Sequence, residues 1–410
     1  MKKFQDYVVS ALHNIRRNKA YAAFYIFGTA FTFIFISIIL QLTNDIVNNT
    51  SPFINADREV IIEPYTKNSK GYYVGNVQHD HIALFLSTLK EYEFCAIRGQ
   101  QFGGVFVNGR MTGTNFVTLV NGDYWTMREF NFIAGRPFTE MDVQLKNKVA
   151  VIRKSFAKVN FKMNEVVGQK VEFQDVDYTI VGVVDDYNNF VNGVEEVWIP
   201  HIFNQFQPEN NLFYQLSILP KEGVGITEFK ERVVMALKLY HQNRSIKNDM
   251  GGDDILTRKE TRIKTFGDNK LSYGIPIILL LLLIIPSTNI VVISIANVNN
   301  RAGEIAVRRS MGATVYASFI QMMTENLLLV FAGSILGVIL AIPMACLISR
   351  YFLSSGTDGY IPLVTGIDFS ILILEIFPLA LLFALFSGGL SAYIVAKGGI
   401  SVMLKGGSKC

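Results

Sequence analysis

The chain has 410 residues, 50% of them apolar and only 18% charged, with a formal net charge of +4. A charged fraction below the ~25% usual in soluble domains, together with a positive mean hydropathy, excludes an ordinary soluble protein and points to a membrane protein with a sizeable soluble part. The net charge is small, no nucleic-acid partner is expected, and the placement of the charges carries more information than their sum.

Residues 1–19 begin "MKKFQDYVVSALHNIRRNK". Phe4, Tyr7, Val8, Ala11, Leu12 and Ile15 recur at helical spacing, with Asp6, Ser10, His13, Asn14 and Arg17 on the other side. The pattern predicts an amphipathic helix lying in the inner interface, its basic residues towards lipid headgroups. Residues 20–44 hold a first span, "AYAAFYIFGTAFTFIFISIIL", and a short stalk. Its apolar run is longer than the core of a signal peptide and no small-residue cleavage site follows, so it reads as an uncleaved anchor.

Residues 45–270 form one long polar block. Its runs "GGVFVNGRM", "NFVTLVNG", "KVAVI", "QKVEFQDVDYTIVGVV", "EEVWIP" and "NLFYQLSIL" are rich in Val, Ile, Tyr and Phe and bounded by turn residues, as strands are. Two stretches look helical: "DHIALFLSTLKEY", with Asp80 as N-cap, and "GITEFKERVVMALKLYHQ", with Thr227 as N-cap and Phe229, Val233, Ala236, Leu237 and Tyr240 on one face. The expected fold is α+β, in two lobes, with a strand-rich lobe at about 124–205. Cys95 stands alone in this block, so its folding needs no internal disulfide.

Three more apolar segments follow, at 271–298, 314–350 and 369–395, separated by a hinge at 299–313 and a loop at 351–368; a tail at 396–410 ends the chain. Each span holds the ~20 mostly apolar residues needed to cross the hydrocarbon. Lys2, Lys3, Arg16, Arg17 and Lys19 precede the first span, Arg301, Arg308 and Arg309 lie in the hinge, and Lys397, Lys405 and Lys409 follow the last. Basic residues in short loops mark the cytoplasmic side. The fold class is therefore a four-helix membrane domain with an inserted α+β extracytoplasmic domain, multi-pass, with both termini inside and the large domain on the other side of the membrane.

The third span carries Glu325, a carboxylate in the inner half that is expected to pair with an arginine of the hinge. Gly333, Gly337 and Ala341 form a ridge of small residues suited to close helix packing. Glu375 lies near the outer end of the fourth span and reads as a solvated edge residue. Ser287, Thr288 and Asn289 read as helix-packing residues of the second span.

Catalytic motifs are missing from the sequence. It contains no G-x-x-x-x-G-K-[ST], no H-E-x-x-H and no C-x-x-C. His79–Asp80–His81 lacks a third metal ligand and reads as a surface helix start; Asp185 and Asp186 read as a solvated turn. No catalytic residue, metal or bound cofactor is expected.

The hinge "NRAGEIAVRRSMGAT" is the most informative stretch. Arg301, Glu304 and Arg308 share one helix face, Glu304 and Arg308 form an i,i+4 pair of the favourable order, and Arg309 adds charge beside them. Ala302, Ile305 and Ala306 give a less polar face, Gly312 is a helix stop, and Thr314 caps the next helix. A short charged helix set tightly between two spans suits docking to a soluble partner and passing a push to both.

These residues carry a resemblance. "RAGEIAVRRSMGAT" followed by "MTENLLLVFAGSILGVILA" resembles the signature of the MacB/FtsX-type permease superfamily of ABC transporters. "NGDYWTMREFNFIAGRPFTEMD", "KVAVI", "VVGQKVEFQDVDYTIVGVVDD" and "VWIP" resemble its extracytoplasmic core domain in order and spacing. The resemblance implies that the helix matching Arg301, Glu304, Ile305, Arg308, Arg309 and Gly312 couples the permease to an ATPase. It implies a permease dimer, identical or not, whose outer domains respond to the ATP cycle by mechanical transmission across the bilayer. No nucleotide-binding domain precedes the first span, so the ATPase, with its ATP and magnesium, is expected in a separate cytoplasmic chain, and this chain is not expected to be an enzyme. A lipoprotein-releasing permease and, in another class, a membrane-anchored binding or signalling protein are the competing readings. The exported substrate, and whether a periplasmic adaptor and an outer-membrane channel take part, stay open.

The charge bias generates a topology test. A thiol-reactive, membrane-impermeant label added from outside should modify a cysteine placed at Asn108 and spare one placed at Ser310; the reverse pattern refutes the four-span arrangement.

Overall fold

The computed structural model describes residues 2–67, 73–161, 166–187, 195–203, 214–243, 255–267, 273–300, 303, 307, 311–312, 314–353, 364 and 366–397. They divide into two compact units: Met1–Thr43 with Asn269–Leu347 and Gly366–Cys410, and Asn44–Asp268 with Ile348–Thr365.

In chain order, α1 (Lys2–Arg17) and α2 (Lys19–Val47) open the molecule. The outer unit follows with β1 (Val60–Ile62), β2 (Tyr65–Lys67), β3 (Tyr73–Gly75), β4 (Tyr92–Val107), β5 (Arg110–Val120), α3 (Asp123–Thr126), β6 (Phe132–Gly135), β7 (Val149–Arg153), β8 (Lys170–Phe173), β9 (Val176–Val184), β10 (Val197–Pro200), β11 (Gln215–Pro220), α4 (Ile226–Asn243), β12 (Leu256–Thr257) and α5 (Arg258–Phe266). Three long helices complete the membrane unit: α6 (Ile275–Asn300), α7 (Val315–Ile348) and α8 (Phe377–Lys397), the last entered through a π turn at Leu372–Ile376.

The outer unit is organised by one ten-stranded sheet in the order β12-β1-β11-β4-β5-β10-β7-β9-β6, with β8 bridging β4 and β9. Most pairs are antiparallel; β10 with β5 and β7 with β9 are parallel. The expected strand-rich lobe at about 124–205 is not set apart as a unit of its own. Its strands β6–β10 belong to the same sheet as β4 and β5, joined by pairing of Val197–Pro200 with Val117–Val120. The unit has two cores because the sheet has two faces, and side chains alternate between them. On β7, Ala150 and Ile152 enter one core with Phe85, Phe229 and Val233. Val149 and Val151 enter the other with Trp125, Phe138 and Trp198. A strand covered on both faces reads as a continuous apolar run, which is why "KVAVI" shows no alternation.

The helix α4 packs as its periodicity predicts, burying Phe229, Val233, Ala236, Leu237 and Tyr240. Full burial of a side chain such as Phe229 contributes about 1.5–3 kcal/mol. Local boundaries differ from the sequence reading at three places. The run "GGVFVNGRM" contains the β4–β5 turn, with Asn108 and Gly109 both at positive φ. Asp80 sits inside a 3-10 turn (His79–His81), not at a helix cap. Thr227 lies in the first turn of α4, which starts at Ile226.

In the membrane unit, α1 forms as expected, but its facing is corrected. Ser10 and Asn14, placed by sequence on the polar side of the helix, turn inward to Gln321 and Glu325 of α7, while Leu12 is exposed. Buried polar groups need hydrogen-bond partners, so polar residues of α1 occupy the packed stripe where α7 is polar. Among the described residues, three helices are long and apolar enough to cross a membrane: Lys19–Val47, Phe319–Tyr351 and Phe369–Gly389. The expected second span is the helix α6, with the apolar stretch Ile275–Ile284 and no charged residue through Asn300.

Two buried histidines of the outer unit, His201 and His241, make its stability sensitive to acid. His201 is buried with its ring 5.3 Å from that of His79. Burial, and then the neighbouring His79, push its pKa down to about 4, against a hydrogen bond to the Val120 backbone. His241, buried on the Asn76 carbonyl, is also lowered, by burial first. A depressed folded pKa means that the unfolded chain binds more protons between the two values, so stability falls as pH falls. Both tryptophans, Trp125 and Trp198, lie in the outer unit, so tryptophan fluorescence of the full chain in detergent reads this domain. Its melting temperature should drop between pH 6.5 and pH 4, His201 alone contributing roughly 3 kcal/mol of loss by the lower end. A melting temperature constant over that window would refute the assignment of buried, neutral histidines.

Candidate functional site

The hinge is partly described. Gly303 and Val307 are helical and exposed, and the Met311 N–H donates to the Val307 carbonyl at 3.1 Å. Gly312 follows at φ +96°, with nothing within 4 Å of where a Cβ would stand. Backbone conformation, not crowding, is what asks for glycine there. Thr314 Oγ1 then accepts from the Ala317 N–H at 3.2 Å and starts α7. Arg301, Glu304, Ile305, Arg308 and Arg309 lie outside the described residues.

The small residues of α7 meet the first span. A Cβ on Gly333 would lie 2.6 Å from Thr29 Cβ, and one on Gly337 would lie 2.7 Å from the Ala30 carbonyl oxygen. Ala341 is fully buried one turn on. Such contact lets two backbones approach, which is how helices associate where lipid removes the hydrophobic drive. Glu325 is 6% exposed in α7, and its carboxylate accepts from Asn14 Nδ2 of α1 at 3.4 Å. The expected arginine partner of the hinge falls among the undescribed residues. Glu375 is exposed.

The outer unit holds a buried charge cluster that sequence reading missed. Glu59, 1% exposed, stands just before β1. Arg258 of α5 grips its carboxylate with two bonds, Nε to Oε2 at 2.7 Å and Nη2 to Oε1 at 2.8 Å. Arg128, just after α3, adds a bond of 2.5 Å. Arg262, one turn beyond Arg258, donates to the Asp45 carbonyl at the end of α2 at 3.3 Å. The ring of Phe53 sits 5.2, 4.4 and 5.2 Å from the guanidinium carbons of Arg128, Arg258 and Arg262, within cation–π range. Burial works to raise the Glu59 pKa, but the two arginines outweigh it and hold the carboxyl well below its ordinary value. Burial and then Arg258 lower Arg262 to about 10. The cluster therefore ties the segment that enters the domain (Asp45, Phe53, Glu59) to the segment that leaves it (Arg258, Arg262). The one sequence signal was α5 itself, whose Thr257 and Glu260 make a capping box and set Arg258 and Arg262 on one face.

A second buried acid, Glu195, accepts from Arg98 at 2.6 Å, from the Tyr124 and Tyr187 hydroxyls at 2.7 and 2.9 Å and from the Trp198 indole at 3.4 Å. The expected solvated turn at Asp185 and Asp186 is corrected: Asp185 pairs with Lys154 at 2.7 Å and Asp186 with Arg153 at 3.1 Å. Arg153, the last residue of β7, is wholly buried, so its charge requires a counter-ion in that turn. Among the described residues no group of three or more His, Cys, Asp or Glu could hold a metal ion. These arrangements position segments; they do not assemble a nucleophile with a base.

A large folded domain inserted between apolar helices defines a membrane-anchored protein. A family model described as the MacB-like periplasmic core domain matches residues 22–236, and one described as the FtsX-like permease C-terminal matches residues 276–400. The chain belongs to the MacB/FtsX-type family of ABC transporter permeases. It is similar to the macrolide export ATP-binding/permease protein MacB of Haemophilus ducreyi, 26% identical over 237 residues that cover 54% of this chain and 32% of that protein. It is 23% identical over 300 residues to MacB 2 of Aeromonas hydrophila, covering 69% of this chain and 45% of that one. The chain thus spans less than half the length of these curated relatives. The periplasmic region of MacB from Actinobacillus actinomycetemcomitans, a solved structure, aligns with 54% of this chain and 97% of its own at 17% identity and a TM-score of 0.43.

The Glu59 cluster generates a stability test. Glu59→Gln leaves its arginines without a counter-charge in the core, and breaking a buried pair on one side costs about 3–5 kcal/mol. Lys170→Ala, which removes an exposed pair with Asp177, should cost under about 1 kcal/mol. Tryptophan-monitored denaturation of both full-length variants checks the ranking; equal losses would show that Glu59 is not the keystone.

Proposed function

We propose that this chain is the permease subunit of a MacB-type ABC transporter. It couples ATP hydrolysis by an ATPase in a separate cytoplasmic chain to movement of its own periplasmic domain, for export of a periplasmic substrate such as an antimicrobial, peptide or toxin. The chain sits in the inner membrane with four spans and both termini cytoplasmic. It works as a dimer with a second permease, hydrolyses nothing and binds no cofactor itself; ATP and magnesium belong to the partner. A periplasmic adaptor and an outer-membrane channel would complete the export path.

The observation that carries the reading is the order of parts in one chain. A core-domain match over residues 22–236 is followed by a permease match over residues 276–400, and the short hinge that ends at Gly312 with φ +96° lies within the second. Three features support mechanical coupling. The hinge is joined to α7 by the Thr314 cap. The helix α7 touches the first span at Gly333 and Gly337. The last turn of α2 is bonded to the Glu59 cluster through Asp45.

Two variants test it by different routes. Glu304→Lys reverses a charge on the docking face of the hinge. Such juxtaposition costs several kcal/mol, so ATPase co-purification and stimulated hydrolysis should fall by orders of magnitude. Gly312→Val places a β-branched residue at positive φ, at a cost on the order of 1–3 kcal/mol; ATPase binding should survive while export per ATP drops. If Glu304→Lys leaves co-purification, hydrolysis and export-dependent resistance at wild-type levels, the hinge is only a topology loop.

A further inference from the structure

Two pairs of polar residues face each other across α1 and α7 with matching spacing. On α1, Ser10 and Asn14 are four residues apart; on α7, Gln321 and Glu325 are four residues apart. Gln321 Nε2 donates to Ser10 Oγ at 2.8 Å, and Asn14 Nδ2 donates to Glu325 Oε2 at 3.4 Å. Residues four apart lie one above the other on a helix, a turn of ~5.4 Å apart. The contacts are therefore two rungs of one ladder, which fixes the register of α1 along α7. Ala11 lies between the rungs and is fully buried, and Asn14 is 7% exposed, so the helices are in close contact there.

The ladder sits where a push would arrive and joins a rigid element. Gln321 is seven residues beyond the Thr314 cap, about 10 Å up α7 at ~1.5 Å per residue. At its other end, α1 is joined to the first span through the single residue Asn18, which is bonded to both sides: the Asn18 N–H donates to the Asn14 carbonyl at 3.0 Å, and the Ala22 N–H to the Asn18 carbonyl at 3.1 Å. One turn further, Tyr21 Oη reaches Asn326 Oδ1 at 3.4 Å, and Tyr25 Oη meets Ser387 Oγ of α8 at 3.0 Å. A buried carboxylate in a span costs free energy and implies a task.

We propose that Glu325 is a positioning residue: with Gln321 it seats α1 on α7, so that displacement of the hinge reaches the first span through α1. The role rests on the mechanical reading above. It adds a second route to α2, at the hinge end of α7, beside the close packing at Gly333 and Gly337.

The test separates seating from coupling. The full chain, with its three native cysteines replaced, carries cysteines at Ser10 and Gln321 and is treated in membranes with a short bifunctional thiol reagent. Efficient cross-linking is expected in this background, where the Asn14–Glu325 rung remains. Glu325→Leu should abolish it, and Glu325→Gln, which keeps an acceptor for Asn14, should retain it. Asn14→Leu, on the helix outside the spans, should reproduce the loss without touching α7. In otherwise wild-type protein, Glu325→Leu should reduce export per ATP hydrolysed by about fivefold or more, with ATPase co-purification unchanged and rescue by Glu325→Gln. Cross-linking that persists in both Leu variants refutes the seating role, whatever the protein transports. Cross-linking that is lost with export unchanged refutes the coupling role. Failure of the Glu304→Lys test would remove the mechanical reading and leave the seating result standing.

Discussion

The outer domain depends on the burial of one carboxylate. Glu59 is buried and is surrounded by Arg128 and Arg258, with Arg262 a turn away. A buried charge is tolerated only when it is paired and hydrogen-bonded, and breaking such a set on one side leaves the others uncompensated. Four segments remote in sequence must therefore close together or none does: the turn before β1, the end of α3, β11 through Ser217, and α5. Arginine suits this task because its planar fork can grip a carboxylate twice and still lie over an aromatic ring, here that of Phe53.

The same constraint recurs on the aromatic face of the sheet. Glu195 collects one guanidinium, two phenols and an indole, and Arg153 lies 4.2 Å from the ring of Tyr187 while pairing with Asp186. Trp125, Phe130, Tyr187 and Trp198 pack around these groups in edge-on contacts. Such a core is specified by hydrogen-bond geometry as well as by volume. A register slip in β7 or β10 would strand a charge rather than merely open a cavity.

The membrane unit solves its packing with different physics. Lipid tails are as apolar as leucine, so burying apolar area gives little drive for association. What joins these helices is close backbone approach, at Gly333 and Gly337 against Thr29 and Ala30, and side-chain hydrogen bonds, at Ser10–Gln321, Asn14–Glu325, Tyr21–Asn326 and Tyr25–Ser387. Three of these polar contacts engage the first turns of α7, the fourth joins α2 to α8, and the small residues lie further along α7.

Much of this protein was legible from sequence because the signals are local. Hydropathy located the apolar helices, since a membrane span must satisfy its backbone internally and clothe itself in apolar side chains. The periodicity of Phe229, Val233, Ala236, Leu237 and Tyr240 defined α4, and the ridge Gly333–Gly337–Ala341 marked a close helix contact, although nothing in its spacing named Thr29 and Ala30 as the other side. What sequence could not decide is pairing across distance. The strands at 124–205 read as a lobe of their own because alternation does not say which strand lies next to which; only the β5–β10 pairing makes one sheet with two cores. Nothing in the local sequence singles out Glu59, beside Asp57 and Arg58, and Asn14 falls on the polar side of α1, because a polar side chain carries no local mark of burial. Their partners, Arg128, Arg258 and Glu325, lie 69, 199 and 311 residues away. The tertiary structure alone brings them together, where the cost of burying an unpaired charge selects the arrangement in which each finds its partner.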